Sequence, residues 1–112
     1  VVMAKREIIE AKEVLRELFK QRGINISKII VFGSYARGKE VQDSDIDIII
    51  ISKDFRGKGI FKKVELTKGV HRELVKKIKK PVDIMYYSDV EWNESDSLVI
   101  NAARQEGEII YG

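Results

Sequence analysis

The 112-residue sequence has no cysteine, a single proline and a single histidine, and only 8% of it is aromatic. Without thiols there is neither a disulfide scaffold nor a thiolate metal site, so a bound metal would be held by oxygen ligands or by the lone imidazole. A thiol-free chain also suits a reducing compartment, and a cytoplasmic location is expected. No apolar run approaches the ~20 residues that a membrane-spanning helix needs. The longest, Ile46 to Ile51, is already interrupted by Asp47, so no membrane association is expected. The first residues enter a charged helical pattern at once, which predicts no secretory leader. What remains is 44% hydrophobic and 35% charged, the balance of a folded globular chain. The length fits one domain over residues 1–112.

Charge is unevenly spread. The net charge is only +3, yet residues 53–80 carry eleven basic and three acidic side chains, and residues 81–112 carry one basic and seven acidic. A Lys-rich solvated helix beside an acidic end is the simplest account of this pattern. A field that attracts polyanions such as a nucleoside triphosphate or RNA is the sharper one.

Apolar residues at Ile8, Ala11, Val14/Leu15 and Leu18/Phe19 recur at helical spacing and predict a helix from Ala4 to about Arg22. The β-branched run Lys28 to Phe32 reads as a first strand, and Asp45 to Ile51 as a second, central strand covered on both faces. Lys53 to Gly59 reads as a mobile loop, and Ile60 to Lys80 as one long helix whose inward stripe holds Ile60, Val64, Thr67, His71, Leu74 and Ile78. Pro81 ends that helix, Val82 to Tyr87 forms a third strand, and Asp89 to Asp96 is a loop or helix entrance. A last helix from Leu98 to Glu106 and a short strand at Ile109 to Tyr111 complete the order. The expected fold is a mixed α/β (α+β) sheet flanked by helices.

Two features carry chemistry. Gly33-Ser34 directly follows the first strand, where a glycine admits a phosphate close to the backbone and the Ser34 hydroxyl can donate to it. Asp45 and Asp47, two apart on the next strand, point to one face. Adjacent carboxylates repel and are costly to bury unless cations lie between them, and hard oxygen ligands suit Mg2+ or Mn2+. Asp83 stands in another apolar strand and joins the same face if that strand pairs beside the second. It would then serve as a ligand and as acceptor of a proton from an attacking hydroxyl. Arg37 and Lys39 flank the turn and would neutralise phosphate charge; Lys53 is a weaker candidate. His71 reads as a packed, hydrogen-bonded residue rather than a catalyst, and Trp92, Tyr86 and Tyr87 read as core or partner-facing rather than base-stacking residues. The combination points to two-metal phosphoryl or nucleotidyl chemistry.

Gly33-Ser34-x-Ala36-Arg37-Gly38, then Ser44-Asp45-x-Asp47, then Asp83 in a later strand resembles the minimal nucleotidyltransferases of the DNA polymerase β superfamily, the type encoded beside HEPN-domain proteins. The closing run Gln105 to Gly112 is similar to the way such chains end. The resemblance implies a palm-like mixed sheet, two Mg2+ ions and ATP or another nucleoside triphosphate as donor. Gly33 and Ser34 would hold the β- and γ-phosphates, with Arg37 at a basic position of the motif. Asp45, Asp47 and Asp83 would be the catalytic, metal-holding carboxylates. The implied activity is transfer of NMP to a hydroxyl, with a tyrosine of a HEPN-type toxin as acceptor and an antitoxin role. An RNA 3′ end or a small molecule stays open as acceptor, and so does a homodimer or a hetero-oligomer with the partner. A non-catalytic module that neutralises a partner by covering it, and a two-metal nuclease, are the competing readings.

Overall fold

The computed structural model describes residues 2–33 and 46–112. Its elements run α1 (Val2–Gln21), β1 (Lys28–Phe32), β2 (Ile46–Ile51), a 3-10 turn (Lys53–Phe55), α2 (Ile60–Leu66), α3 (Val70–Ile78), β3 (Val82–Tyr87), α4 (Asp89–Glu94), α5 (Leu98–Glu106) and β4 (Glu108–Tyr111). The sheet order is β3-β2-β1-β4. β1 is antiparallel to both β2 and β4, while β2 and β3 are parallel and are joined through α2 and α3. This is the mixed α+β sheet that the pattern of elements predicts.

β2 explains the layering. Its side chains alternate between faces, and both faces are covered. Ile46, Ile48 and Ile50 join Ile29 and Val31 against Leu15 and Phe19 of α1 and Leu74 and Ile78 of α3. Ile49 and Ile51 join Ile30 against Trp92 of α4 and Ile100 and Ala103 of α5. All five isoleucines of β2 are at most 1% exposed, and each contributes roughly 1.5–3 kcal/mol of burial. Trp92 and Tyr86 are packing residues: Trp92 lies in the second cluster, and the Tyr86 ring stacks on Phe19 and meets Phe55 edge-on. Burial in that setting raises the Tyr86 hydroxyl above its ordinary pKa.

The sequence predicts one helix over 60–80, and the structure has two. α2 stops at Leu66, and Gly69, at φ 86°, turns the chain before α3 begins at Val70. The Lys68 carbonyl freed by the break accepts a hydrogen bond from Arg22 Nη2 at 2.6 Å, so the interruption is tied to the end of α1. A helical stripe loses its phase across such a break. Val70, Leu74 and Ile78 reach the core, but Ile60 and Val64 are 73% and 61% exposed. His71 is likewise exposed, its ring Nε2–H donating to the Val82 carbonyl at 2.7 Å.

Two further segments are more ordered than a loop reading allows. The 3-10 turn buries Phe55 completely, and the Ser52 hydroxyl caps it by accepting from the Asp54 amide. α4 starts in a capping box, with Ser88 Oγ accepting from the Glu91 amide and a Glu91 carboxylate oxygen accepting from the Ser88 amide. Arg56 donates from Nε to Asp89 Oδ1 at 2.7 Å, clamping the turn to the start of α4. No described helix is long and apolar enough to cross a membrane.

Two predictions follow from these ties. Gly69→Ala should lower stability by about 1–2 kcal/mol, because alanine resists the left-handed conformation. Gly59→Ala, at φ −80° with open space around the added methyl, should be near neutral in the same urea titration. Separately, the hydrogen bonds from Arg56 hold the Asp89 carboxyl at a pKa of about 2, below the ordinary 3.8. A depressed acid stabilises the folded state above its unfolded pKa and loses that contribution as pH falls through the folded value. Asp89→Asn should therefore lower the melting temperature at pH 7, and its gap from the parent should shrink between about pH 4 and pH 2.

Candidate active site

The site is built at one end of the sheet by strand register. Phe32, the last residue of β1, pairs with Asp47 near the start of β2, and Asp47 pairs in turn with Asp83 near the start of β3. Register partners on neighbouring strands lie about 4.8 Å apart and point to the same face. For Asp47 and Asp83 this is the face of Ile49, Met85 and Tyr87, over which α4 and α5 pack farther along the strands. Asp47 is half-buried and Asp83 exposed. A charged group is tolerated there because both residues stand where the apolar layer ends.

Gly33 closes the site from the β1 side. It has φ 79°, and a Cβ at this position would overlap the Oδ2 of Asp47 and lie 3.2 Å from its Cγ. The backbone of the turn is thus pressed against the carboxylate, and any side chain there would displace it. The left-handed torsion favours glycine here, and an added methyl would make the Asp47 carboxylate shift.

Of the residues singled out in the sequence, the structure brings Gly33, Asp47 and Asp83 together. Ser34, Arg37, Lys39 and Asp45 lie outside the described residues. Lys53 does not belong with the group: it follows the opposite end of β2 from Asp47, six residues and roughly 20 Å along the chain direction. His71 is occupied by its bond to Val82, on the outer edge of β3.

The donor set can be tested for a metal by its chemistry. Asp47 and Asp83 offer only carboxylate oxygens, from adjacent strands and partly open to solvent, which suits a hard divalent cation rather than zinc or copper. Among the described residues no group of three or more His, Cys, Asp or Glu is close enough to enclose one. Asp45, two residues before Asp47, is the third carboxylate of the sequence motif.

Comparisons with known proteins bear on this arrangement. Residues 8–107 match the family model described as nucleotidyltransferase domain. Two curated relatives from Methanocaldococcus jannaschii are provisionally named protein adenylyltransferases. One is 62% identical over 32 residues, which is 29% of this chain and 31% of the relative. The other is 43% identical over 47 residues, 40% of this chain and 55% of the relative. The matched stretches thus span about a third to a half of those relatives.

Among solved structures, a protein of Sulfolobus solfataricus provisionally assigned as a nucleotidyltransferase superposes with a TM-score of 0.64 at 21% identity, over 95% of this chain and 80% of that one. A chain of a toxin–antitoxin complex with AMP-PNP gives 0.63 at 20% identity, over 89% and 72%. A chain from the complex of a tri-AMPylated Shewanella oneidensis HEPN toxin with its MNT antitoxin gives 0.56 at 20% identity, over 95% and 72%. At such identities the likeness is one of fold.

Gly33→Ala should cost about 1–2 kcal/mol from its torsion, with the Asp47 carboxylate displaced by the added methyl. Chemical denaturation measures the loss, and a variant as stable as the parent would contradict the left-handed torsion at this position.

Proposed function

The chain belongs to the nucleotidyltransferase domain family, and we propose that it transfers a nucleoside monophosphate, AMP from ATP in the simplest case, to a hydroxyl acceptor. The observation that carries this reading is the register that sets Asp83 beside Asp47 at the sheet end closed by Gly33. The fold likeness and the names of the curated relatives support it.

Each residue has a role that its chemistry allows. Gly33 presents bare backbone, so that the terminal phosphates of the donor can approach, and the Ser34 hydroxyl donates to them. Arg37 adds positive charge beside the triphosphate. Asp45, Asp47 and Asp83 would hold two Mg2+ ions, or Mn2+, which supply charge neutralisation for the triphosphate and the departing pyrophosphate. Asp83, more exposed than Asp47, takes the proton of the acceptor hydroxyl. The hydroxyl oxygen forms a bond to the α-phosphorus, the bond from that phosphorus to the bridging oxygen breaks, and pyrophosphate carries away the electron pair.

The acceptor we propose is a tyrosine of a HEPN-type partner protein, with the chain acting as its antitoxin. The complex of an AMPylated HEPN toxin with an MNT antitoxin among the similar folds supports that choice. A tyrosine hydroxyl reaches such a site readily, because Asp83 stands exposed at the sheet end.

The test is transfer of label from α-labelled ATP to a co-encoded HEPN protein in the presence of Mg2+. Asp47→Asn and Asp83→Asn should each lower labelling by about 10²–10⁴-fold while the circular dichroism spectrum and urea midpoint stay close to those of the parent. Chelation of divalent ions should stop the reaction and resupply should restore it. If both variants still neutralise the toxin as well as the parent, the chain works by covering its partner and the transfer reading fails as its physiological role.

A further inference from the structure

Asp83 stands on an edge strand. β3 has β2 on one side and no strand on the other, so its backbone carbonyls point alternately toward β2 and away from the sheet. The Pro81 carbonyl accepts from the Ile46 amide at 3.0 Å, and the Tyr87 carbonyl from the Ser52 amide at 3.1 Å. The odd-numbered carbonyls therefore face β2, and those of Val82, Ile84 and Tyr86 face outward. Among the described residues, a side chain donates to only one of these three. The Val82 carbonyl accepts from His71 Nε2–H at 2.7 Å. A carbonyl oxygen can only accept, so Nε2 carries the hydrogen whether the ring is neutral or charged.

Which carbonyl is held matters, because the Val82 C=O and the Asp83 N–H belong to one planar peptide unit. Register with β2 turns the Asp83 amide inward, toward the strand that carries Asp47. The same rigid plane is thus held from both edges, and it helps to set the direction in which the Asp83 side chain leaves the strand. His71 is a firm anchor although it is exposed. It lies between Val70 and Leu74 of α3, both at 0% exposure, so core packing fixes the helix from which the ring reaches.

We propose that His71 is a positioning residue for Asp83, holding, through the Val82–Asp83 peptide, the carboxylate that the transfer reaction uses as metal ligand and proton acceptor. The functional consequence rests on the transfer reading given above; the orienting tie does not. A bond that served only to pin β3 to α3 could be made to any outward carbonyl. This one is made to the carbonyl joined to the Asp83 nitrogen.

Amide hydrogen exchange and Mn2+ binding by the full chain test the proposal. His71→Ala should speed exchange of the Asp83 amide by about fivefold, the worth of one hydrogen bond, with little change at Tyr87 at the far end of β3. In a titration followed by the paramagnetic signal of free Mn2+, the same variant should bind the ion about tenfold more weakly, as loss of an outer-shell partner does. His71→Gln keeps an N–H donor on a side chain of similar reach and should bring both readings back to within about twofold of the parent. Asp83→Asn should also weaken Mn2+ binding, and adding His71→Ala to it should cause no further loss, because the histidine acts through Asp83. Circular dichroism verifies that the variants remain folded. An Asp83 amide that exchanges at the parent rate in His71→Ala overturns the proposal. So does an undiminished loss of Mn2+ affinity when His71→Ala is added to Asp83→Asn. A parent chain that holds no Mn2+, or an Asp83→Asn variant that holds it as tightly as the parent, overturns the metal role of Asp83 instead, and the exchange result then decides whether His71 orients it.

Discussion

A strand buried on both faces can carry a carboxylate only where its cover ends, and the placement of Asp47 follows from that constraint. β2 has five buried isoleucines and one half-buried aspartate. Alternation commits Asp47 to the face of Ile49 and Ile51, the face packed by α4 and α5. In the middle of the strand its charge would have to be desolvated without compensation, at a cost of several kcal/mol. At the second position of the strand it stays within reach of water. The apolar strand and the polar site are therefore one design: the isoleucines fix the register, and the register delivers the carboxylate to the rim.

The parallel partner strand repeats the same logic. Val82 is buried in the first cluster while Asp83, next in sequence, turns to the opposite face and is exposed. Residue-for-residue pairing of β2 with β3 then sets two like charges side by side. Like charges so placed repel more strongly as water is excluded from between them. Such a pair gains most from a cation when a substrate closes over it. Gly33 limits where that substrate can lie, because its bare backbone already touches one of the carboxylates.

The legible part of this structure was the part governed by short-range periodicity. The isoleucine run of β2, the strand from Val82 to Tyr87 and the helix spacing of Ile8, Ala11, Leu15 and Phe19 each declare their element without tertiary information. Pairing of β3 with β2 is a tertiary fact, and the meeting of Asp47 with Asp83 was conditional on it. Ser34, Arg37 and Asp45 come from the same motif but lie outside the described residues. The division between α2 and α3 was less legible, since Ile60, Val64, Thr67 and His71 keep helical spacing through the break. Gly69 was the available signal, outweighed by an unbroken stripe. Ser88 and Glu91 have the residue types and spacing of a capping box, but Asp89 to Asp96 has too little apolar periodicity to declare the helix. Periodicity also treats every apolar residue as core, and so it could not tell Phe61, at 89% exposure, from Phe19, at 0%.

The openness of the site bears on what it acts upon. Phosphoanhydride chemistry in contact with bulk water risks losing the activated group to hydrolysis, and enzymes limit this by closing over the reaction. Asp83 is exposed at the sheet end, so in the proposed transfer a docked acceptor would add to the enclosure. A small-molecule acceptor would bring little of it. A folded protein that presents a hydroxyl would shield the sheet end by docking, so exclusion of water and delivery of the acceptor would be a single event.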